Sequence, residues 1–208
     1  KKLEYFKNKR VLVTGGTGLI GKSVVKKLCD LSSKVKVVSL DKFNSERRAE
    51  HIIGDLTNFE FCKEITKNID YAFHLSGIKG SVTVTKEKPA SFFVPLIMMN
   101  TNFIESCRLN KIDRMVYTSS IGAYSSKEIF IEDENDFNNL PMDEFPGWAK
   151  RMAELQIAAY QTQYGISNFS IVRPSNIYGQ GDNFDEKNAM VIPSLMARVL
   201  RGDKPVVI

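Results

Sequence analysis

The chain has few residues of the kinds that build disulfide frameworks or metal sites. It contains three cysteines and two histidines, and none of them stands at the spacing of metal ligands. No run of about 18 apolar residues is found, so we expect no membrane-spanning helix, and no segment has the layout of a secretory signal. Scattered single cysteines are typical of a reducing compartment. We therefore expect a cytoplasmic protein without disulfide bonds or a bound metal.

The sequence also lacks a dense basic block. Its net charge of +5 comes from lysines and arginines that interleave with acidic residues along the whole chain. A basic face with interleaved aromatic residues, which nucleic-acid binding needs, is not found. The charge therefore suits a small anionic ligand, and we expect neither a nucleic-acid nor a membrane partner. With 208 residues and 43% hydrophobic content, the chain can bury one full core.

A glycine-rich turn near the start carries the strongest signal of a ligand. Residues 11–13 are an apolar run typical of a buried strand, and residues 14–21 read TGGTGLIG. From Leu19 to Cys29 the apolar residues recur at helical spacing. Gly15, Gly18 and Gly21 thus lie where a strand becomes a helix, and there they let backbone N–H groups approach a diphosphate. The helix N-terminus adds partial positive charge.

Acidic residues follow the next two predicted strands. Asp41 ends the strand at 34–40 and lies 20 residues after Gly21, the distance at which a dinucleotide site places a carboxylate for the adenosine ribose. This carboxylate favours NAD, since it would repel a 2′-phosphate. Lys42, Arg47 and Arg48 follow closely, so NADP stays an alternative. After the strand at 51–54, Asp55 and Leu56 are candidates to contact adenine.

Alternating strand and helix patterns predict a parallel sheet covered on both faces, an α/β fold. Further strands are predicted at 71–77 and 114–120, and helices at 89–110 and 148–164. The most loop-like segment is 125–146. In such sheets ligands bind beyond the carboxyl ends of the strands, where Thr118, Ser119 and Ser120 stand.

Several motifs stand in the order found in one family. They are TGGTGLIG at 14–21, Asp41, GDL at 54–56, HLSG at 74–77, TSS at 118–120, Lys150 and RPSNIYG at 173–179. Together they resemble the extended short-chain dehydrogenase/reductases, and more narrowly the NAD-dependent epimerases and dehydratases of nucleotide sugars. The resemblance runs from Lys9 to about Val207.

The resemblance implies a doubly wound Rossmann domain over residues 1–170. Residues 171–208 would hold the last sheet strands, one of them beginning near 204–208, and part of a smaller C-terminal substrate domain. Members of the family continue for roughly another hundred residues, so we expect a chain that is truncated. They also pair through two helices that match 89–110 and 148–164, so we expect a homodimer.

The resemblance also implies a reaction and a set of site residues. In the family, hydride leaves C4 of a sugar held by its nucleoside diphosphate and often returns. A tyrosinate takes the hydroxyl proton, helped by a serine or threonine and by a lysine. Ser120 and Lys150 match these two helpers. The expected NAD contacts are Gly15, Thr17, Gly18, Leu19, Ile20, Gly21, Asp41, Asp55, Leu56, Leu75, Ser76, Gly77, Lys150 and Pro174, and the expected substrate contacts are Ser120, Asn176 and Val191.

One position departs from the family pattern. The tyrosine stands four residues before the lysine, and here that residue is Pro146, within FPGWAK at 145–150. Proline has no ionisable group and cannot be the base. Three explanations stay open. Another residue, or a water held by Ser120 and Lys150, takes the proton; the chain binds its ligands with slow or no turnover; or Tyr124, four residues after Ser120, substitutes.

Catalytic residues that related enzymes have and this chain lacks narrow the class of reaction. Family dehydratases carry Asp-Glu directly after the serine or threonine, where this chain has Ile121 and Gly122. GDP-fucose synthases use a cysteine and a histidine for epimerisation at C3 and C5, and the matching residues are Gly122 and Met190. We therefore expect a C4 epimerase, with a reductase or dehydratase, or a binding protein without turnover, as the alternatives.

Overall fold

The computed structural model describes residues 4–41, 46–78, 82–127, 129, 131, 138–185 and 189–203, with the backbone alone at 82–84. Strands and helices alternate along the chain. The strands are β1 (Arg10–Thr14), β2 (Lys34–Ser39), β3 (Glu50–Ile53), β4 (Tyr71–His74), β5 (Arg114–Thr118) and β6 (Phe169–Val172). The helices are α1 (Leu19–Asp30), α2 (Phe59–Ile65), α3 (Val82–Glu87), α4 (Pro89–Leu109), α5 (Glu144–Tyr164) and α6 (Val191–Arg201).

The strands form one parallel sheet in the order β3-β2-β1-β4-β5-β6. The order reverses between β1 and β4, which opens a crevice at the carboxyl ends of these strands. The predicted α/β fold with a doubly wound parallel sheet is confirmed. The glycine turn lies beside this crevice, because it joins β1 to α1.

Helices cover both faces of the sheet because successive residues of a strand point to opposite faces. In β1, Leu12 packs in a cluster with residues of α2, α4 and α5, whereas Val11 and Val13 pack in a second cluster with residues of α1. All three side chains are fully buried. This explains why residues 11–13 read as an uninterrupted apolar run.

The last helix of the core begins earlier than the sequence indicated. We expected a helix from Trp148, with a loop up to Pro146, but α5 begins at Glu144. Pro146 therefore lies in the first turn, where N–H groups have no partner inside the helix and a missing N–H costs little. The preceding loop is described only in part.

The domain boundary expected between residues 170 and 171 falls inside β6, and the sheet of the described residues ends at Val172. The strand expected at 204–208 lies outside the described residues, as does Lys42. The boundary itself stays a prediction.

Three further findings concern the cysteines, metal ligands and membrane-spanning helices. The cysteines are free, and Cys62 and Cys107 are buried. Over the described ranges, no three His, Cys, Asp or Glu side chains gather where they could hold a metal ion. Within those same ranges, no helix combines the length and apolar character that crossing a membrane requires.

Candidate active site

The backbone of the glycine turn packs closely at Gly15 and at Gly21. Gly15 adopts a φ of +68°, and a Cβ there would lie 2.8 Å from the backbone nitrogen of Ser76. A Cβ on Gly21 would run into the backbone of Gly15 and Gly16. Gly18 has a φ that any residue adopts, and its Cβ would meet only the Gly15 carbonyl oxygen, at 3.3 Å. The turn therefore exposes backbone N–H groups at the start of α1.

Asp41 follows β2 and lies beside this turn. The Thr17 hydroxyl donates a hydrogen bond of 3.0 Å to Oδ2 of Asp41. The Ser39 hydroxyl donates to the Asp41 backbone carbonyl at 3.1 Å. The carboxylate is exposed and is held against the turn. The structure thus brings together Thr17 and Asp41, which the sequence separates by 24 residues.

Asp55 and Leu56 follow β3 and lie in different environments, one at the surface and one in the core. Asp55 Oδ1 accepts from the backbone N–H of Thr57 at 2.8 Å. Leu56 is only 6% exposed and packs in the cluster beneath α4. On the neighbouring β4, the backbone N–H of Ser76 donates to the Thr14 hydroxyl at 3.3 Å. Ser76 and Gly77 follow the strand end and border the crevice.

The serines after β5 have different partners. The Ser119 hydroxyl is buried and donates to Oε1 of Glu154 at 2.5 Å. Ser120 is half-buried, and its Oγ accepts from the backbone N–H of Gly122 at 3.1 Å. Because that oxygen is an acceptor in this contact, its own proton can be donated to a ligand. Ser120 is thus the serine whose hydroxyl can serve the crevice.

Lys150 reaches from α5 to the end of β5. Its Nζ donates to the backbone carbonyl of Thr118 at 2.7 Å and lies 5.1 Å from the centroid of the Tyr117 ring. Burial lowers the pKa of Lys150 to about 8, against the smaller opposing effect of the Glu154 carboxylate. The amine therefore lies at the same edge of the sheet as Ser120, with donors left for a ligand.

Pro146 lies one helical turn before Lys150 on the same face of α5, because residues four apart are neighbours on a helix. The residues that lead into α5 pack on residues 120–124, where the backbone N–H of Met142 donates to the Tyr124 carbonyl at 2.7 Å. Gly147 is buried against Gly122 in the same contact. The pyrrolidine ring thus lies on the helix face that carries Lys150.

A buried chain of polar side chains runs beneath the crevice. The Thr14 hydroxyl lies 2.8 Å from Nδ1 of His74, and Nε2 of His74 lies 3.0 Å from Oδ1 of Asn100. The Asn100 amide in turn donates to the Tyr117 hydroxyl at 3.1 Å. Burial lowers the pKa of His74 to about 3, so the ring is neutral. Its single proton lies on Nε2, since Oδ1 of Asn100 can only accept.

A buried ion pair ties β6 to α5. The Arg173 guanidinium donates from Nε to Oε1 of Glu154 at 2.9 Å and from Nη2 to the other carboxylate oxygen. The two side chains are only 11% and 3% exposed. The same guanidinium lies 4.4 Å from the centroid of the Tyr124 ring. Tyr124, the alternative base, is thus packed under a cation.

A cavity of about 620 Å³ opens at the carboxyl ends of the central strands, on the α1 face of the sheet. It brings together four residues predicted to contact the cofactor. They are Leu19, Ile20, Leu75 and Pro174, joined in the wall by Thr118, Ile177 and Tyr178 among others. Its mostly apolar wall suits a flat, weakly polar ring.

The remaining predicted residues are not part of this cavity wall. Asn176 and Val191 are exposed, and Val191 is the first residue of α6. The sequence reasoning did not find the partners of the site: His74, Asn100 and Tyr117 below it, and Glu154 with Arg173 beside it. Their hydrogen bonds join residues 17 to 60 positions apart, and no spacing rule connects such residues.

Comparisons with known proteins agree with this geometry. The sequence model of the NAD dependent epimerase/dehydratase family matches residues 11–208. A GDP-L-fucose synthase of Dictyostelium discoideum is 31% identical over 193 residues, covering 89% of this chain and 57% of that protein. The solved UDP-N-acetylglucosamine 4-epimerase of Methanobrevibacter ruminantium, in complex with UDP-N-acetylmuramic acid, superposes with a TM-score of 0.83 at 27% identity.

A third similar protein is a GDP-L-fucose synthetase of Naegleria fowleri bound to NADP, with a TM-score of 0.76 and 25% identity. The chain covers 66% of the length of each of these two solved proteins, and they cover 97% of this chain. It thus spans less than two thirds of the similar proteins. The fold and the glycine turn fall within the shared part.

Proposed function

Because the chain belongs to the NAD-dependent epimerase/dehydratase family, we propose that it is an NAD-dependent epimerase that acts on C4 of a nucleoside-diphosphate sugar. The observation that carries this proposal is the gathering of Ser120 and Lys150 at the end of β5, beside a cavity lined by Leu19 and Pro174. C4 epimerisation needs only removal and return of hydride. It does not require the Asp-Glu pair of the dehydratases or the cysteine and histidine of the GDP-fucose synthases, which this chain lacks at the matching positions.

The residues fit a dinucleotide. Any side chain at Gly15 would collide with the backbone at Ser76, so the turn stays open to a diphosphate at the positive end of α1. Asp41 is placed to accept from the ribose hydroxyls, and Lys150 has N–H groups for the second ribose. When bound, NAD would supply a hydride acceptor at the cavity. Lys150 and Pro174 would hold its nicotinamide end.

The position of Arg48 supports NAD over NADP. Its guanidinium binds Asp30 at 2.9 Å and Glu46 at 2.7 Å. Asp30 is the last residue of α1, and a helix of 12 residues is about 18 Å long. Arg48 is therefore held at the far end of α1 from Thr17 and Asp41. It cannot neutralise a 2′-phosphate beside Asp41 from that position.

In this proposal, Ser120 donates a hydrogen bond to the sugar C4 oxygen and keeps its own proton, and Lys150 places positive charge beside the same oxygen. Pro146 cannot accept the hydroxyl proton. A water between Ser120 and Lys150 then carries it to solvent, which predicts slow turnover compared with enzymes that have the tyrosine. The ammonium form of Lys150 is lost as pH rises through about 8, so substrate activation weakens above that pH.

A second candidate function follows from Pro146. The chain would bind NAD and a nucleotide sugar, with no turnover, as a binding or regulatory protein. The close packing of α5 on residues 120–124 supports it, because the site is well formed although its base is missing. A reductase or dehydratase has no comparable supporting observation among the described side chains.

Incubation with sugars separates the two candidates. The protein is mixed with NAD and with UDP-, GDP- and dTDP-sugars, and epimers are separated by chromatography. An epimer from one of them supports the enzyme. No product from any sugar, with NAD binding intact in calorimetry, supports the binding protein.

The Pro146→Tyr variant measures what the missing tyrosine costs. We expect a gain of about 100-fold in turnover, since a positioned general base contributes about that factor or more. The matched control is Pro146→Phe, which supplies the ring without the hydroxyl and should gain nothing. Equal rates in the Tyr and Phe variants would contradict the assignment of position 146 to the base.

We also propose a homodimer and a cytoplasmic location. Outward-facing apolar side chains on α4 and α5, among them Val94, Met98, Met152 and Leu155, support the dimer. The three free cysteines support a reducing compartment. Sedimentation at micromolar concentration, with Met152→Glu as the variant that should dissociate, tests the dimer.

A further inference from the structure

The hydrogen bond between Thr17 and Asp41 joins two elements of the nucleotide site. Thr17 lies in the turn between β1 and α1, and Asp41 follows β2. The threonine hydroxyl donates to Oδ2 of the carboxylate over 3.0 Å. Neither residue needs this contact for burial, because Asp41 is exposed and Thr17 is only partly covered. The contact therefore fixes the direction in which the carboxylate points and does not contribute to the packing of the core.

Asp41 is also held through its backbone. The Ser39 hydroxyl binds the Asp41 carbonyl at 3.1 Å, and the backbone N–H of Gly15 donates to the carbonyl of Val38 at 2.9 Å. The turn and the end of β2 are thus joined at both main chain and side chain. An exposed aspartate normally samples several rotamers, and fixing one before a ligand arrives removes part of the entropy cost of binding.

We propose that Thr17 determines the cofactor specificity of the site by fixing the Asp41 carboxylate. With Oδ2 occupied by Thr17, Oδ1 is left to accept from the 2′-hydroxyl of an adenosine ribose. The fixed negative charge then stands where a 2′-phosphate would lie, and the like charges repel. Thr17 is a positioning residue in this account, since it acts through Asp41. The inference rests on the proposed binding of a dinucleotide.

Arg48 does not compete with Thr17 for the Asp41 carboxylate. Arg48 is bound to Asp30 and Glu46 at the far end of α1, so it does not draw the Asp41 carboxylate away from Thr17. The hydroxyl is a neutral donor, and it orients the carboxylate without cancelling its charge. A lysine or arginine in the same position would orient the carboxylate but would also attract a phosphate.

Calorimetry with NAD and NADP on the full chain tests the inference. The Thr17→Val variant keeps the shape of the side chain and loses the hydroxyl, and Thr17→Ser keeps the hydroxyl. We expect Thr17→Val to weaken NAD about tenfold, the effect of one lost hydrogen bond to a charged group. The Kd for NADP should change by less than about twofold, so the ratio of the NADP Kd to the NAD Kd falls. Thr17→Ser should restore the ratio.

A double-mutant cycle tests whether Thr17 acts on cofactor binding through Asp41. In the background of Asp41→Ala, Thr17→Val should change neither Kd, because the carboxylate it orients is gone. Additive losses would overturn the inference, and so would an unchanged ratio in Thr17→Val. Thermal unfolding checks that each variant folds, and Thr17→Ala replaces a variant that does not. A wild-type chain that binds neither dinucleotide would overturn the proposed function together with this inference.

Discussion

Gly15, Gly18 and Gly21 of the turn have different surroundings. Gly15 has a positive φ, and Gly21 packs on the backbone of Gly15 and Gly16. Gly18 has ordinary backbone angles and only one near neighbour. Gly15 and Gly21 are therefore needed for the turn to fold. Gly18 has room for a methyl group with one close contact, at 3.3 Å, and we expect the need for glycine there to come from the ligand.

This difference predicts the outcome of alanine substitution. Gly18→Ala should change the free energy of unfolding by less than about 1 kcal/mol, since a cap glycine and alanine differ modestly. The same variant should bind NAD at least about tenfold more weakly, because a methyl group keeps the diphosphate from the backbone N–H groups. Urea denaturation and calorimetry measure the two quantities. Gly21→Ala is the contrasting variant and should unfold; a stable Gly21→Ala protein would contradict the packing.

The titration of His74 makes the free energy of unfolding depend on pH. Its pKa is about 3 in the folded protein and about 6.5 in an unfolded chain. Between these values the unfolded chain binds one more proton, so the free energy of unfolding falls as pH decreases. The stabilisation is complete above pH 6.5. From there to pH 5, before carboxyl groups titrate, we expect a loss of about 2 kcal/mol.

Urea denaturation at several pH values between 5.0 and 7.5 measures this slope. A His74→Gln protein loses the titrating ring and should have a nearly flat profile in the same window, whatever its absolute stability. An equal slope in both proteins would assign the effect to other groups.

At the scale of elements, hydrophobic periodicity was sufficient to locate the sheet and the main helices. The predicted ranges for α1 and α4 differ from the structure by one residue at their ends. The start of α5 was missed because Phe145 and Pro146 read as a loop. A helix tolerates proline in its first turn, and the contact with residues 120–124 that supports this turn is not local in sequence.

Side-chain partners were harder to predict than elements. Arg47 and Arg48 follow Asp41 closely in sequence, which suggested tolerance of NADP. The chain between β2 and β3 runs back to the amino end of the sheet, so Arg48 binds Asp30 instead. Conversely, Thr17 and Asp41 meet because β1 and β2 are neighbours in the sheet. Topology decides both contacts, and sequence distance decides neither.

Breaking the buried ion pair between β6 and α5 should lower the free energy of unfolding strongly. Glu154→Gln leaves the Arg173 guanidinium buried without its countercharge, and we expect a loss of about 3 kcal/mol in the free energy of unfolding. The matched control is Glu64→Gln, which breaks the exposed pair with Lys67 and should cost less than about 1 kcal/mol. Urea denaturation at neutral pH compares them. Equal losses would show that burial of the pair carries no special weight.

At the scale of the whole molecule, the candidate site is shared by most of the sheet. The turn after β1, the ends of β2, β4 and β5, and Pro174 after β6 all contribute to it. A ligand that contacts them all is expected to stabilise the sheet as one unit. Binding to the folded chain alone adds about 2.7 kcal/mol at a concentration of 100 Kd.

We therefore expect NAD at that concentration to raise the Tm by about 5–10 °C, as for other domains of this size. Differential scanning fluorimetry across a series of NAD concentrations measures the shift. Gly18→Ala at the same concentration should shift by only a few degrees. A wild-type Tm that does not respond to NAD would contradict binding to the folded chain.

The buried polar chain has a consequence for how the strands find their partners. Thr14, His74 and Tyr117 stand directly opposite one another on β1, β4 and β5. A slip of β4 by one residue would set Phe73 opposite Thr14 and turn His74 toward the apolar cluster beneath α1. Each polar group orphaned in this way costs about 1–3 kcal/mol. These three polar residues therefore disfavour a shifted strand register. The short, valine-rich strands would tolerate such a shift if only their apolar side chains set the pairing.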